Sequence, residues 1–330
     1  MKKIYTLSLL MVAGLSFAQT SDSFLGTGAL NANGWTTHSG TAGQLTIASG
    51  SLTYPGVIST GNKVSLVAGN SEDVNRASLA PITGTAYYSA ILNLPNTTGL
   101  APNAETGDYF LTISSAAGET GVTTFVGRIY IKQGTAENTF NLGILNNSGG
   151  TVLVTYSNVN HPINTPVFVA VKYALGTNTA SLFINPTFGA EGTPTVTSST
   201  GTTAAPAQIA SIAIRQGGPT SLASGTGNTQ IDEIKLGSTW ASVVPAIAGV
   251  KDNSIAGLSM FPNPLTGNVL NITSTANSDK AVAIFDVLGK QVINTKVTNG
   301  TVNVSGLNSG VYIVKITEEG KTATRKLVIK

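Results

Sequence analysis

The chain has 330 residues, of which 41% are apolar and only 10% charged, with 37 glycines and a net charge of +3. Such a composition excludes a helix bundle or coiled coil, which needs Glu/Lys/Leu-rich faces, and excludes disorder driven by charge repulsion. No cysteine and two histidines are present, which removes disulfide scaffolds, thiol nucleophiles and His-rich metal centres. Residues 19–257 hold 8 basic and 11 acidic residues, and residues 258–330 hold 8 basic and 4 acidic. Neither part carries the clustered Lys/Arg stripe that nucleic-acid binding draws on, so no nucleic-acid partner is expected.

In chain order, Lys2-Lys3 precede an apolar run from Ile4 to Phe17 that closes on Ser16-Phe17-Ala18. A positive start, a short apolar stretch and a small-x-small site predict a secretory signal over 1–18, with the mature chain beginning at Gln19. The run is too short to cross the hydrocarbon core, which takes about 20 apolar residues. No later stretch approaches that length, so no transmembrane segment is expected in the mature chain.

From Asp22 to about Val243, short β-rich runs alternate with Gly/Asn/Pro/Ser turns. The runs are 44–47, 63–67, 86–94, 109–113, 124–131, 140–145, 152–156, 167–173, 179–184, 209–215 and 230–236. Turns fall at Asn33-Gly34, Gly61-Asn62, Asn147–Gly150, Gly176–Asn178 and Gly217–Pro219. Within 124–132, strict alternation puts Phe125, Gly127, Ile129 and Ile131 on one face, and Thr124, Val126, Arg128, Tyr130 and Lys132 on the other. The best helical candidate is Ser71–Ala80, with Ser71 as N-cap and Pro81 as stop, though Val74 and Leu79 make no stripe. The pattern predicts an all-β fold with two packed antiparallel sheets over 19–245, an N-terminal jelly-roll β-sandwich or a similar sandwich. Asp22–Phe24, Gly34-Trp35, Glu72–Arg76, Asn178–Pro186 and Gln230–Trp240 resemble, in that order, segments of the laminin-G-like and concanavalin A-like jelly rolls of bacterial surface proteins.

Residues 246–257 are read as a linker. Beyond them, Phe261-Pro262-Asn263-Pro264 opens a second unit, Asn299-Gly300 marks a hairpin, and about seven short strands over 258–330 predict a small immunoglobulin-like sandwich. Phe261–Pro264, Ile284–Lys290 with Asp286 and Gly289, Leu307–Tyr312 with Gly310 and Tyr312, and the terminal Lys326–Lys330 resemble the type A C-terminal sorting domain of the type IX secretion system. That resemblance implies the secretion machinery as partner, export by way of the periplasm across the outer membrane, and a secreted or surface-held cargo.

The cargo shows no Glu-x-Asp-x-x-Glu strand of the laminarinase kind, no triad spacing, no phosphate loop and no His-Glu-x-x-His. Glu105 and Asp108 are the nearest to an acid pair and read as solvated loop charges; His38 and His161 read as loop or surface histidines. Asp232 and Glu233, adjacent in the last strand, are expected on opposite faces. Asp232 is the first candidate for a structural calcium, and no other cofactor is expected. Aromatic platforms for a sugar are Trp35, Tyr54 and Tyr156; Trp240, at the end of the last strand, is expected to pin the domain end. The resulting expectation is a non-catalytic binding or adhesion module for an extracellular polysaccharide or surface glycan. A divergent polysaccharide hydrolase or lyase and a structural surface protein are the alternatives.

Overall fold

The computed structural model describes residues 18–151, 153–217, 225–244 and 255–330. Residues 1–17 of the expected 1–18 signal, most of the linker, Val152 and Gly218-Pro219 lie outside the described residues. The chain divides into two compact units, the second beginning at Ala248, and it is all-β.

The first unit holds β1 (Thr20–Asp22), β2 (Gly28–Ala29), β3 (Thr36–Ser39), β4 (Thr46–Ala48), β5 (Lys63–Ser65), β6 (Asp73–Ile82), β7 (Thr85–Asn93), β8 (Asp108–Ser114), β9 (Phe125–Gln133), β10 (Thr139–Leu145), β11 (Thr155–Tyr156), β12 (His161–Pro162), β13 (Val167–Ala174), β14 (Thr179–Ile184), β15 (Val196–Ser198), β16 (Ile209–Arg215) and β17 (Gln230–Gly237). They build two antiparallel sheets. One has nine strands in the order β15-β14-β13-β7-β17-β5-β4-β2, with β1 also on β17; the other has eight, in the order β11-β10-β9-β8-β16-β6-β3, with β12 on β10. Val64, Tyr88, Val169, Val171 and Ile234 from the first sheet meet Val126, Ile129, Leu142, Ile212 and Ile214 from the second in one core. The unit is therefore a jelly-roll sandwich held by apolar burial, with no disulfide.

Three local expectations are overturned. Residues 73–82 form strand β6, not a helix. Val74 faces the core, and Pro81 sits where the ladder jumps from Ala77↔Ser211 to Ile82↔Ile209. The missing N–H of proline costs least at such a bulge. In β9, alternation breaks at Gly127, whose φ is +56°. Ile113 pairs with Val126 but Leu111 with Ile129, so Val126 and Ile129 both enter the core while Phe125 joins Arg128, Tyr130 and Lys132 outside. A glycine inside a strand pattern is the mark of a bulge, and only strict alternation hides it.

The third correction concerns Asp232 and Glu233. Glu233 has φ +49°, and the β17–β7 ladder slips between Asp232↔Ile91 and Lys235↔Ser89. Both carboxylates consequently turn to one strap between β4 and β5. Asp232 accepts bonds from the Ser51 hydroxyl at 2.5 Å and the Leu52 N–H at 2.8 Å; Glu233 accepts from the Thr60 N–H at 2.7 Å. The strap covers a second apolar cluster of Leu52, Ile91, Phe168, Phe183 and Trp240. As expected, Trp240 pins the domain end: its indole N–H donates to the Gly189 carbonyl at 2.9 Å.

The second unit holds β18 (Ser259–Phe261), β19 (Val269–Thr273), β20 (Lys280–Phe285), β21 (Gln291–Val297), β22 (Thr301–Asn303), β23 (Gly310–Glu318) and β24 (Lys321–Ile329), in sheets of order β18-β19-β22 and β21-β20-β23-β24. Its core is Leu270, Ile272, Val282, Ile284, Val314, Ile316 and Leu327. Lys280 and Glu318 pair across β20 and β23 at 3.0 Å with side chains only 2% and 3% exposed. Ser274 and Ser278 donate further bonds to Glu318. Removing one member of such a pair strands the other charge. Lys280→Ala is expected to cost this unit about 3–5 kcal/mol, measured by urea denaturation, while Lys280→Met with Glu318→Leu recovers most of the loss.

Candidate functional site

The outward face of the eight-stranded sheet carries the chemistry. Register puts Tyr109 of β8 opposite Tyr130 of β9, Tyr130 opposite Gly143 of β10, and Gly143 opposite Tyr156 of β11. Gly143 is needed there, because a Cβ would lie 2.8 Å from Val154 Cγ1 and 2.9 Å from a Tyr156 ring carbon. Three tyrosines thus form a row across four strands, with the Tyr109 and Tyr130 rings 5.7 Å apart and Phe125 6.3 Å from Tyr109.

Cations lie on these rings. The Arg215 guanidinium is 4.5 Å from the Tyr109 centroid and that of Arg128 is 5.1 Å from it; the Lys132 ammonium is 4.4 Å from the Tyr156 centroid. Arg215 pairs with Asp108 at 2.6 Å and lies 3.9 Å from Asp73. Lys132 donates to the carbonyls of Asn103 at 2.8 Å and Glu105 at 3.2 Å, and the Tyr156 hydroxyl donates to the Thr106 carbonyl at 2.7 Å. The 103–106 loop is thereby clamped along one side. On the other side Asn75 donates to the Gly118 carbonyl at 2.8 Å and bonds His38 Nδ1 at 3.2 Å, with the His38 ring 5.6 Å from Phe125.

Burial sets the ionisation. It pushes the hydroxyls of Tyr109, Tyr130 and Tyr156 upward and lowers His38, so near neutrality the face carries intact phenols and a neutral imidazole. Burial also raises Asp73, against the pull of Arg215, to about 6, and its buried Oδ1 has no hydrogen-bond partner.

Sequence reasoning found one member of this face, Tyr156. Trp35 is 2% exposed, its indole N–H donates to Asp22 at 2.7 Å, and its ring stacks on Phe24. A ring so enclosed has no face for a sugar, and Trp35 is a core residue. Tyr54 is half-buried against Phe168 and Phe188 on the nine-stranded sheet's strap, so it does not meet Tyr156. Asp108 is buried and ion-paired, not a solvated loop charge as expected; Glu105 is exposed. His161 is buried against Phe140, and neither histidine is a free surface group. Alternation placed Arg128 and Tyr130 on one face without marking them as a site; Tyr109 and Arg215 were missed because only strand register brings them to that face.

The surroundings of Asp232 do not fit calcium. Its oxygens face the Ser51 hydroxyl and the N–H groups of Leu52 and Glu233, whereas the ion takes six to eight oxygen ligands. No group of three or more His, Asp or Glu suited to a metal occurs among the described residues.

In the second unit, Pro262 and Pro264 offer no N–H, and Asn263 between them supplies both halves of a strand pairing. Its amide donates to the Lys326 carbonyl at 2.7 Å and accepts from the Val328 N–H at 3.0 Å. The Lys330 N–H closes on Leu265 at 2.9 Å. Asp286 accepts from the N–H groups of Leu288 and Lys290 at 2.9 and 3.0 Å, and Gly289 adopts φ +83° in that turn. Gly310 opens β23 opposite Ile329, and the Tyr312 hydroxyl donates to the Asn308 carbonyl at 2.9 Å. The family described as "Secretion system C-terminal sorting domain" matches residues 259–330.

This unit is a type IX secretion sorting domain. The sorting domain marks the first unit as cargo sent to the cell surface or beyond. Among the described residues, no helix is long and apolar enough to cross a membrane. No curated protein matches the chain by sequence. Among solved structures, an endo-β-1,4-glucuronan lyase from the fungus Trichoderma reesei is similar at TM-score 0.42 and 13% identity, over 69% of this chain and 98% of that one. The VIP36 exoplasmic/lumenal domain is similar at TM-score 0.33 and 14% identity, over 58% and 83%. A sialidase is similar at TM-score 0.39 and 16% identity, over 68% of this chain and only 19% of the sialidase. None of these likenesses carries an argument about activity.

Asp73 yields a prediction. A carboxyl raised from 3.8 to about 6 in the folded state favours folding fully below the unfolded value, and that contribution is lost as pH climbs through 6. Relative to the native protein, Asp73→Asn is therefore expected to gain on the order of 2–3 kcal/mol between pH 4 and pH 7, read from urea denaturation at each pH.

Proposed function

We propose that the cargo is a non-catalytic binding module and that a polysaccharide lies along the outward face of the eight-stranded sheet. The observation that carries this reading is the tyrosine row from Tyr109 through Tyr130 to Tyr156, bordered by Arg, Asn and Asp side chains. A small-molecule site is an enclosed, mainly apolar pocket. This surface is instead a row that crosses four strands, with Tyr109 and Tyr156 half-buried and Tyr130 only 8% exposed, and its polar rim of Arg, Asn and Asp beside aromatic bodies suits an extended polar polymer. The sorting domain supports the reading, because it sends the cargo where such polymers are found. A glycan array followed by affinity electrophoresis with the mature chain tests it. Tyr109→Ala and Tyr130→Ala are each expected to weaken binding at least tenfold, about 1.4 kcal/mol, with the β-sheet circular dichroism retained. Silence across plant, algal and microbial polysaccharides overturns the proposal.

Asp73 favours a second reading, a polysaccharide hydrolase or lyase. A carboxyl that titrates near 6 beside phenols and a guanidinium is suited to proton transfer at neutral pH. Release of new chain ends from a polysaccharide panel, abolished by Asp73→Asn, is the expected outcome under this reading; intact polymers after long incubation discard it.

A further inference from the structure

Of the seven half-buried cations among the described residues of the cargo, three have an opposite charge beside them. Arg76 pairs with Asp22 at 2.5 Å, Lys172 with Glu191 at 2.7 Å, and Arg215 with Asp108 at 2.6 Å. Arg128 and Lys132 differ: both are half-buried, both lie against an aromatic ring, and among the described residues neither has a carboxylate partner. Lys63 and Lys235 also form no ion pair there, but neither lies against an aromatic ring. The Arg128 Nε donates to the Phe125 carbonyl at 3.0 Å and the guanidinium also hydrogen-bonds the Tyr130 side chain, which still leaves donors of its five to spare. Lys132 has only neutral carbonyls as acceptors. A partly desolvated cation without a counter-charge is costly, and an anion arriving from outside repays it.

The placement is regular. Arg128, Tyr130 and Lys132 alternate on one strand, so the two cationic residues stand on the same face with their Cα positions about 13 Å apart at roughly 3.3 Å per residue. The rings beneath them are engaged: Tyr109 carries two guanidinium groups and Tyr156 an ammonium. The surface therefore offers ring-supported positive charges rather than bare stacking platforms.

We propose that the polysaccharide taken by this face is acidic, its carboxylate or sulfate groups meeting Arg128 and Lys132. This rests on the reading of the face as a polymer site and adds the class of polymer. A guanidinium fork suits both groups, since each presents paired oxygens to it.

The test uses the full mature chain and two matched pairs of probes: alginate with carboxyl-reduced alginate, and dextran sulfate with dextran. At least one acidic polymer is expected to bind tenfold or more tightly than its neutral partner, and the pair that shows it names the anion. Arg128→Gln and Lys132→Gln are each expected to cut that preference at least tenfold. Lys172→Gln, which removes a cation already paired elsewhere, is expected to leave it unchanged. The acidic-to-neutral ratio separates recognition from folding, because a loosened 103–106 loop would weaken both polymers alike. Equal binding to both members of each pair overturns this inference while leaving the polymer site standing. Binding to neither acidic polymer overturns it as well, and the neutral panel then decides separately whether the face binds sugar at all.

Discussion

The outward chemistry of the cargo depends on one break in strand alternation, at Gly127. A strand that kept strict period two from Phe125 to Lys132 would place Val126 and Tyr130 on a common face, sending either an aliphatic side chain into water or a phenol into the core. The positive φ at Gly127 inserts the extra residue that lets Val126 and Ile129 both face inward, and a glycine is the residue that takes this backbone at no steric cost. Tyr88, fully buried on the opposite sheet, donates its hydroxyl to the Gly127 carbonyl. The bulge is thus fixed through the core by a bond from the other layer, and the side chains outside inherit that fixity.

Much of the architecture was legible because burial writes itself into short stretches of chain. The runs at 86–94, 167–173 and 230–236 fall on β7, β13 and β17, since a strand buried on one face shows its pattern within a handful of residues. The sorting unit was legible for a related reason: Phe261–Pro264 and the terminal Lys326–Lys330 are contiguous motifs, and the fold lays one against the other through Asn263. The binding face was not legible. Tyr109, Tyr130, Tyr156 and Arg215 come from four separate strands and meet only through register, which the bulges at Gly127 and around Phe110 alter.

The same cause explains the misplaced acids. Asp108 follows a Gly/Pro-rich stretch and looks solvated, yet Arg215, more than one hundred residues on, reaches it from the neighbouring strand. Asp232 and Glu233 look divided by strand alternation, yet a positive φ turns both to the strap. In each case a short-range rule was sound and a long-range partner altered its outcome. Trp35 was a sugar-platform candidate by residue type alone, and Asp22 and Phe24 hold its ring inside.

The position of the last two cargo strands has a consequence for timing. β17 lies in the interior of the nine-stranded sheet, flanked by β7 and β5, and also takes β1; β16 lies between β8 and β6 in the other. A ribosome delivers these strands after everything they must separate. Until residue 215 has emerged the eight-stranded layer is two fragments with a gap between them, and until residue 237 the nine-stranded layer is too, with the earliest segment lacking its strand partner β17. Such long-range closure is slow. Neither layer of the cargo can therefore close before its last strands arrive, and closure of the whole sandwich is left to the end of its synthesis.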